Sequence, residues 1–173
     1  MQRIEIREAC KDDLPYMIKM IAEDELGISR DKYTEPIMQC YEDAFKEITA
    51  DKNSVLLVIC VNGSAVGSLQ VTFTRYLSHM GGLRATVENV HVASDMQGRG
   101  LGTELMNAAI DLAEKRGCRL VQLTTNKTRK DAHRFYHRLG FESTHEGMKL
   151  YLTGDDSAND SKSYYLSNNL YRR

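Results

Sequence analysis

The sequence predicts an α+β fold, one mixed and mostly antiparallel central sheet flanked by helices, and three observations predict it. Ser54 to Val61, Ala65 to Thr74 and Leu83 to Val92 are strand-like runs in succession, which read as neighbouring antiparallel strands. Apolar residues recur at helical spacing in the segments before and after them. No internal repeat and no linker interrupts residues 1 to 152, so these elements are expected to share one sheet and one core.

Taken in order, Arg3 to Glu8 alternates polar and apolar residues and reads as a strand. Lys11-Asp12-Asp13-Leu14-Pro15 supplies acidic residues and an early proline, a helix-start signal, before Tyr16-Met17-Ile18-Lys19-Met20-Ile21. Ser29 to Tyr33 reads as loop. Glu35-Pro36 is expected to open a second helix, with Ile37, Tyr41, Ala44, Phe45 and Ile48 at helical spacing and Asp51-Lys52-Asn53 ending it.

Asn62-Gly63 favours the positive φ angles of a tight turn and predicts a hairpin between the first two long strands. Tyr76 to Gly82 is a loop with a glycine pair, leading to the third strand. Leu101, Leu105, Ala108, Ala109 and Leu112 mark an amphipathic helix closed by Gly117. Arg119 to Thr125 then reads as a strand, Lys130 to Leu139 as a helix, and Phe141 to Leu152 as a final strand pair. Residues 1 to 152 form the expected domain. Thr153 to Arg173 turns to Asp, Ser and Asn and reads as a polar tail or docking segment.

At 173 residues the chain can bury roughly two thirds of its unfolded surface, and 42% hydrophobic with 27% charged residues is an ordinary globular balance. A formal net charge of -1 excludes the basic footprint of a nucleic-acid binder. Cys10, Cys40, Cys60 and Cys118 lie far apart without a C-x-x-C pair, and no secretory leader precedes Arg3-Ile4-Glu5-Ile6; free thiols in the cytoplasm are expected. No run approaches the roughly 20 apolar residues of a membrane helix.

One segment carries chemistry. The strand Glu88-Asn89-Val90-His91-Val92 leads into Gln97-Gly98-Arg99-Gly100-Leu101-Gly102-Thr103 and then a helix, which collects free backbone N–H groups and a helix dipole at one place. Such a place suits phosphate. It is not a Walker A loop, which needs G-x-x-x-x-G-K-[ST]. It is not the dinucleotide fingerprint either, because Thr103 stands where a third glycine is required and the next strand ends in threonines rather than an acid.

Gln97-x-x-Gly100-x-Gly102 resembles the Q/R-x-x-G-x-G/A signature of the GNAT superfamily of acyl-CoA-dependent N-acyltransferases. Ala132-His133-Arg134-Phe135-Tyr136-His137-Arg138-Leu139-Gly140-Phe141 is similar to that superfamily's A-x-x-F-Y-x-x-x-G-F segment. The element order over residues 3 to 152 agrees as well. Thr124-Thr125-Asn126 followed by Asp131 to Tyr136 most resembles the aminoalkylphosphonate and related small-amine N-acetyltransferases.

The resemblance implies direct attack of a primary amine of a small molecule on the thioester of acetyl-CoA in a ternary complex. An alkylammonium with a pKa of about 10.4 must first lose a proton, at roughly 4 to 5 kcal/mol at pH 7. By resemblance Glu88 is the base acting through water, and Tyr136 the acid that protonates the leaving thiolate. Glu88 also reads as a solvated strand residue. It falls on the same alternation as Val90 and Val92, on a face that is either core or cleft. Tyr136, at helical spacing with Ala132, Phe135 and Leu139, also reads as part of a buried stripe.

For the cofactor, the resemblance places the pyrophosphate on the backbone of Gly98, Arg99, Gly100, Leu101, Gly102 and Thr103, with Gln97 orienting the loop. Val90 and Val92 would pair through backbone bonds with the pantetheine arm, and Asn126 would bond the same arm. Arg134, with Arg129 and Lys130, stands as a candidate for the 3′-phosphate or as solvated charge. His133 and His137 are spaced to share a metal but lack H-E-x-x-H, and no metal is expected. His79, Arg84 and His145 are candidates for the substrate cleft, and Cys60 and Cys118 read as inert core thiols. The rival functions are a protein N-terminal or lysine acetyltransferase and a non-catalytic acyl-CoA-binding regulatory module. A homodimer is left open; no nucleic-acid or membrane partner is expected.

Overall fold

The computed structural model describes residues 2 to 150 except 25, 26 and 29, and its sheet is organised by the hairpin at Asn62-Gly63. Asn62 and Gly63 both take positive φ, 53° and 89°, the pair of left-handed angles that matches the twist of the strands it joins. Those strands are β2 (Ser54–Val61) and β3 (Ser64–Arg75), paired antiparallel from Ser54 with Thr72 to Val61 with Ser64. The first strand, β1 (Ile4–Glu8), pairs antiparallel with β2. On the other side β4 (Leu83–Val92) pairs antiparallel with β3, and β5 (Cys118–Leu123) pairs parallel with β4. The sheet therefore runs in the order β1-β2-β3-β4-β5, mixed and mostly antiparallel.

Helices cover both faces. Helices α1 (Leu14–Glu23) and α2 (Gln39–Ala50) lie on one side, where Met17, Phe45 and Ile48 pack on Leu56, Val58 and Cys60. The single turn α3 (Ser78–Gly81) between β3 and β4 has His79 and Met80 in the left-handed region. Helix α4 (Leu101–Lys115) crosses from β4 to β5 and buries Leu101, Leu105, Met106, Ala109 and Ala113 against Ile59, Leu69, Val71, Ala85 and Val87. Helix α5 (Lys130–Arg138) closes the same side, contributing Phe135 and Tyr136 to the margin of that core.

Where β3 meets β4 the backbones approach closely. A Cβ on Gly67 would stand 2.8 Å from the Ile59 side chain and 3.1 Å from the His91 carbonyl, so glycine is required there. The neighbouring register shifts: Ser68 pairs with His91 but Gln70 with Glu88, which leaves one extra residue in β4. Asn89 absorbs it with φ of 53°, making a β-bulge.

Three expectations are corrected. The second helix starts at Gln39 rather than at Glu35-Pro36, because the Thr34 hydroxyl donates to the Pro36 carbonyl at 2.8 Å, holding an oxygen that a helix would need as acceptor. Phe141 to Leu150 form no strand pair. Residues 142 to 150 are exposed throughout, and with only Phe141, Met148 and Leu150 apolar they offer no alternating face to bury. The strand expected at Arg119 to Thr125 ends at Leu123. The expected tail, residues 153 to 173, lies outside the described residues, as do Tyr151 and Leu152.

Candidate active site

The bulge and the end of β5 together shape the candidate site. Parallel pairing between β4 and β5 stops at Val87 and Leu123, so Glu88 to Val92 have a strand neighbour only in β3. Beyond Val92 the chain makes one 3₁₀ turn at Ser94–Met96 and enters the glycine loop. Gln97 donates its side-chain amide to the Val92 carbonyl at 3.1 Å, tying the loop to the strand.

Gly98 and Gly100 take positive φ of 75° and 82°, which turns the loop sharply into α4 with Gly100 at its N-cap. No described residue accepts from the backbone N–H groups of Gly98, Arg99, Gly100, Leu101, Gly102 or Thr103. They are donors at the positive end of a helix four turns long, a fit for a pyrophosphate. Gly102 faces Val92 and Phe135, and a Cβ there would make ordinary contacts at 3.5 to 3.7 Å. Arg99 and Thr103 are exposed, whereas Leu101 is buried and anchors the helix start.

Tyr136 is partly buried at the edge of the core, edge-on to Phe135 at 5.1 Å and to Phe141 at 6.0 Å. Its hydroxyl makes no hydrogen bond with a described residue. Burial raises its pKa above the ordinary 10.0, and the positive charge of Arg129 works against that rise. At neutral pH the phenol is protonated and can donate.

Glu88 is exposed and faces the other way. Val90 and Val92 pack with the core beneath α4, but Glu88 pairs with Gln70, whose partner Leu56 belongs to the α1 and α2 face. The expected common face of Glu88, Val90 and Val92 is therefore corrected: the bulge at Asn89 reverses the alternation between them.

His91, paired with Ser68, lies on the same face as Glu88. The sequence marks it only as a lone histidine between two valines. Its side chain is 11% exposed, with Nδ1 4.0 Å from Asp24 Oδ1 just past α1. Asp24 is bonded in turn to Arg129, Nη2 to Oδ1 at 2.9 Å, a contact spanning 105 residues. Burial lowers the His91 pKa below 6.5; Asp24 and Asp31 raise it, and Arg129 and Arg30 lower it further.

The remaining candidates have local partners. Asn126 holds Thr128 N and Oγ1 with its carbonyl oxygen, both at 2.9 Å, so this oxygen caps a turn. Arg134 pairs with Asp131 and is exposed, while Arg129 is engaged by Asp24. His133 bonds the Asn126 carbonyl and His137 the Phe141 carbonyl, which separates the two imidazoles. Arg84 stacks over Tyr76 at 4.1 Å and bonds Gln122, while His145 bonds Thr144. Among the described residues no group of three or more His, Cys, Asp or Glu side chains could hold a metal, and no helix is long and apolar enough to cross a membrane.

Known proteins are similar to this chain. The family model described as "Acetyltransferase (GNAT) family" matches residues 22–141. An uncharacterised N-acetyltransferase of Methanocaldococcus jannaschii is 34% identical over 138 residues, 79% of this chain and 60% of that protein, so the chain spans less than two thirds of that relative. The aminoalkylphosphonate N-acetyltransferase of Salmonella typhimurium is 31% identical over 62% of this chain and 69% of its own length. In three dimensions, a Bacillus halodurans C-125 protein described as a transcriptional regulator is 49% identical, with a TM-score of 0.85 over 87% of this chain and 100% of that one.

Proposed function

The chain belongs to the acetyltransferase (GNAT) family, whose cosubstrate is acetyl-CoA, and from that premise we propose that it acetylates a primary amine of a small molecule. The observation that carries the reading is the run of unaccepted N–H groups from Gly98 to Thr103 beside a strand edge, Glu88 to Val92, with no partner in β5. The cofactor supplies an activated acetyl thioester. Backbone donors would hold its pyrophosphate, and the free edge of Val90 and Val92 would pair with its pantetheine arm. Asn126 and Arg134 remain candidates for the arm and the 3′-phosphate, each after giving up part of its local bonding.

Transfer by direct attack needs two proton movements and no enzyme nucleophile. The amine sheds a proton toward the α1 and α2 face of β4, where Glu88 stands in solvent. Tyr136, protonated and without a competing hydrogen bond among the described residues, donates to the departing thiolate from the α4 side. The small-amine acceptor is supported by the similarity to an enzyme named for aminoalkylphosphonates. The described name of the Bacillus halodurans neighbour keeps a regulatory, non-catalytic reading as the rival.

Thiol release from acetyl-CoA, with mass detection of product, tests this on a panel of small alkylamines, aminoalkylphosphonates, N-terminal peptides and lysine peptides. Turnover is expected on small amines. Turnover on peptides alone would move the protein to another acceptor class. Acetyl-CoA binding without transfer to any amine would support the regulatory reading.

A further inference from the structure

We propose that His91 is the immediate acceptor of the ammonium proton, with Asp24 orienting its ring and Arg129 holding Asp24. This rests on the acetyl-transfer reading and names a group that reading does not use. Three segments distant in sequence meet here: the end of α1, the stretch of β4 beyond the bulge, and the loop between β5 and α5.

Position favours His91 over Glu88. A thioester arm laid along the unpaired edge of Glu88 to Val92 would have Tyr136 on its α4 side and the face carrying His91 on its α1 side, so acid and base flank the reacting carbon from opposite faces. Glu88 is exposed, whereas His91 is screened from water by its neighbours, which makes its proton affinity sensitive to them.

Those neighbours are balanced. Among the described residues, the charged groups acting on His91 are Asp24 past α1, Arg30 and Asp31 in the following loop, and Arg129 before α5; Ser68 beside it on β3 is neutral. Asp24 alone would stabilise an imidazolium. Its carboxylate is already engaged by Arg129 at 2.9 Å, and burial further disfavours the charged ring. The ring is therefore neutral at pH 7 and can accept a proton, while Asp24 remains near enough to stabilise the charge formed.

The step balances. One ammonium proton passes to His91 and then to solvent, with Glu88 on its outward path. The amine nitrogen forms its bond to the acetyl carbon as the C–S bond breaks. The thiolate takes the Tyr136 proton, and the tyrosinate recovers one from the acetylated nitrogen.

The test is the pH profile of kcat/KM for the best amine in the wild type, His91→Gln, Asp24→Asn, Arg129→Gln and Glu88→Gln. The wild type should show an acid limb below the ordinary histidine range. His91→Gln should remove the limb and lower the rate about 10²-fold, whereas Glu88→Gln should keep it. Asp24→Asn should move the limb to lower pH and Arg129→Gln to higher pH, opposite signs that a purely structural role would not give. Since these variants are at risk of misfolding, the His91 imidazole is also titrated by NMR in the unmodified enzyme, its signal assigned by its absence in His91→Gln. A titration at or above the ordinary 6.5 overturns the inference, as does an unchanged limb in folded His91→Gln. Absence of transfer to any amine overturns the underlying reading and this inference with it.

Discussion

Tyr136 is the residue on which two readings of one side chain separate. As a packing residue it needs only its ring, which meets Phe135 and Phe141 edge-on; as the acid it needs its hydroxyl, which no described residue engages. Tyr136→Phe keeps the ring, so packing predicts near-silence and catalysis predicts a fall in kcat of about 10²-fold with acetyl-CoA affinity unchanged. Steady-state kinetics with the best acceptor, on protein checked by circular dichroism, decides this. Residue identities of this kind were legible in the sequence because the motif names them. His91 was not, since its meaning comes from Asp24 and Arg129, far away in the chain.

At the scale of elements, the hairpin and α4 were legible because Asn62-Gly63 and the Leu101 to Leu112 stripe report local geometry. The bulge at Asn89 was not, because nothing in an alternating run marks where one residue is inserted, and it reverses every inference about facing beyond it. The missing strand pair at Phe141 to Leu150 failed for a related reason: β propensity without an apolar face gives nothing to bury. The junction of β1 with α1 makes a further prediction. Arg7 grips Asp13 through two bonds, 2.6 and 2.9 Å, and Cys10 N donates to the same carboxylate at 2.8 Å. Burial pushes the Asp13 carboxyl up, but these bonds prevail and hold it below the ordinary 3.8. Its folded value is depressed, so its stabilisation is full above 3.8 and is lost as pH falls through the lowered value. Asp13→Asn should cost about 2 kcal/mol in urea unfolding at pH 7, a difference that shrinks below 3.8. A difference constant down to about pH 2.5 would contradict this linkage.

For the whole molecule, strand order does what no single motif does. Four antiparallel strands followed by one parallel strand reached through α4 bring the glycine loop, the unpaired end of β4 and helix α5 together, with Gly102 facing both Val92 and Phe135. The elements and the loop were legible in the sequence but their meeting was not, because the point where β4 and β5 part is set by pairing rather than by composition. Acetyl-CoA is expected to be held by the backbone of that loop. Gly100 is its most exacting point: a Cβ there meets nothing within 4 Å, so a substitution is strained only by its φ of 82°, and an aspartate adds negative charge where a pyrophosphate is expected. Calorimetric titration of acetyl-CoA into wild type and Gly100→Asp, both checked for an intact fold, tests it. The wild type should bind with a dissociation constant on the order of micromolar and the variant at least about 10²-fold more weakly; equal affinity in the two proteins would mean that the loop backbone does not hold the cofactor.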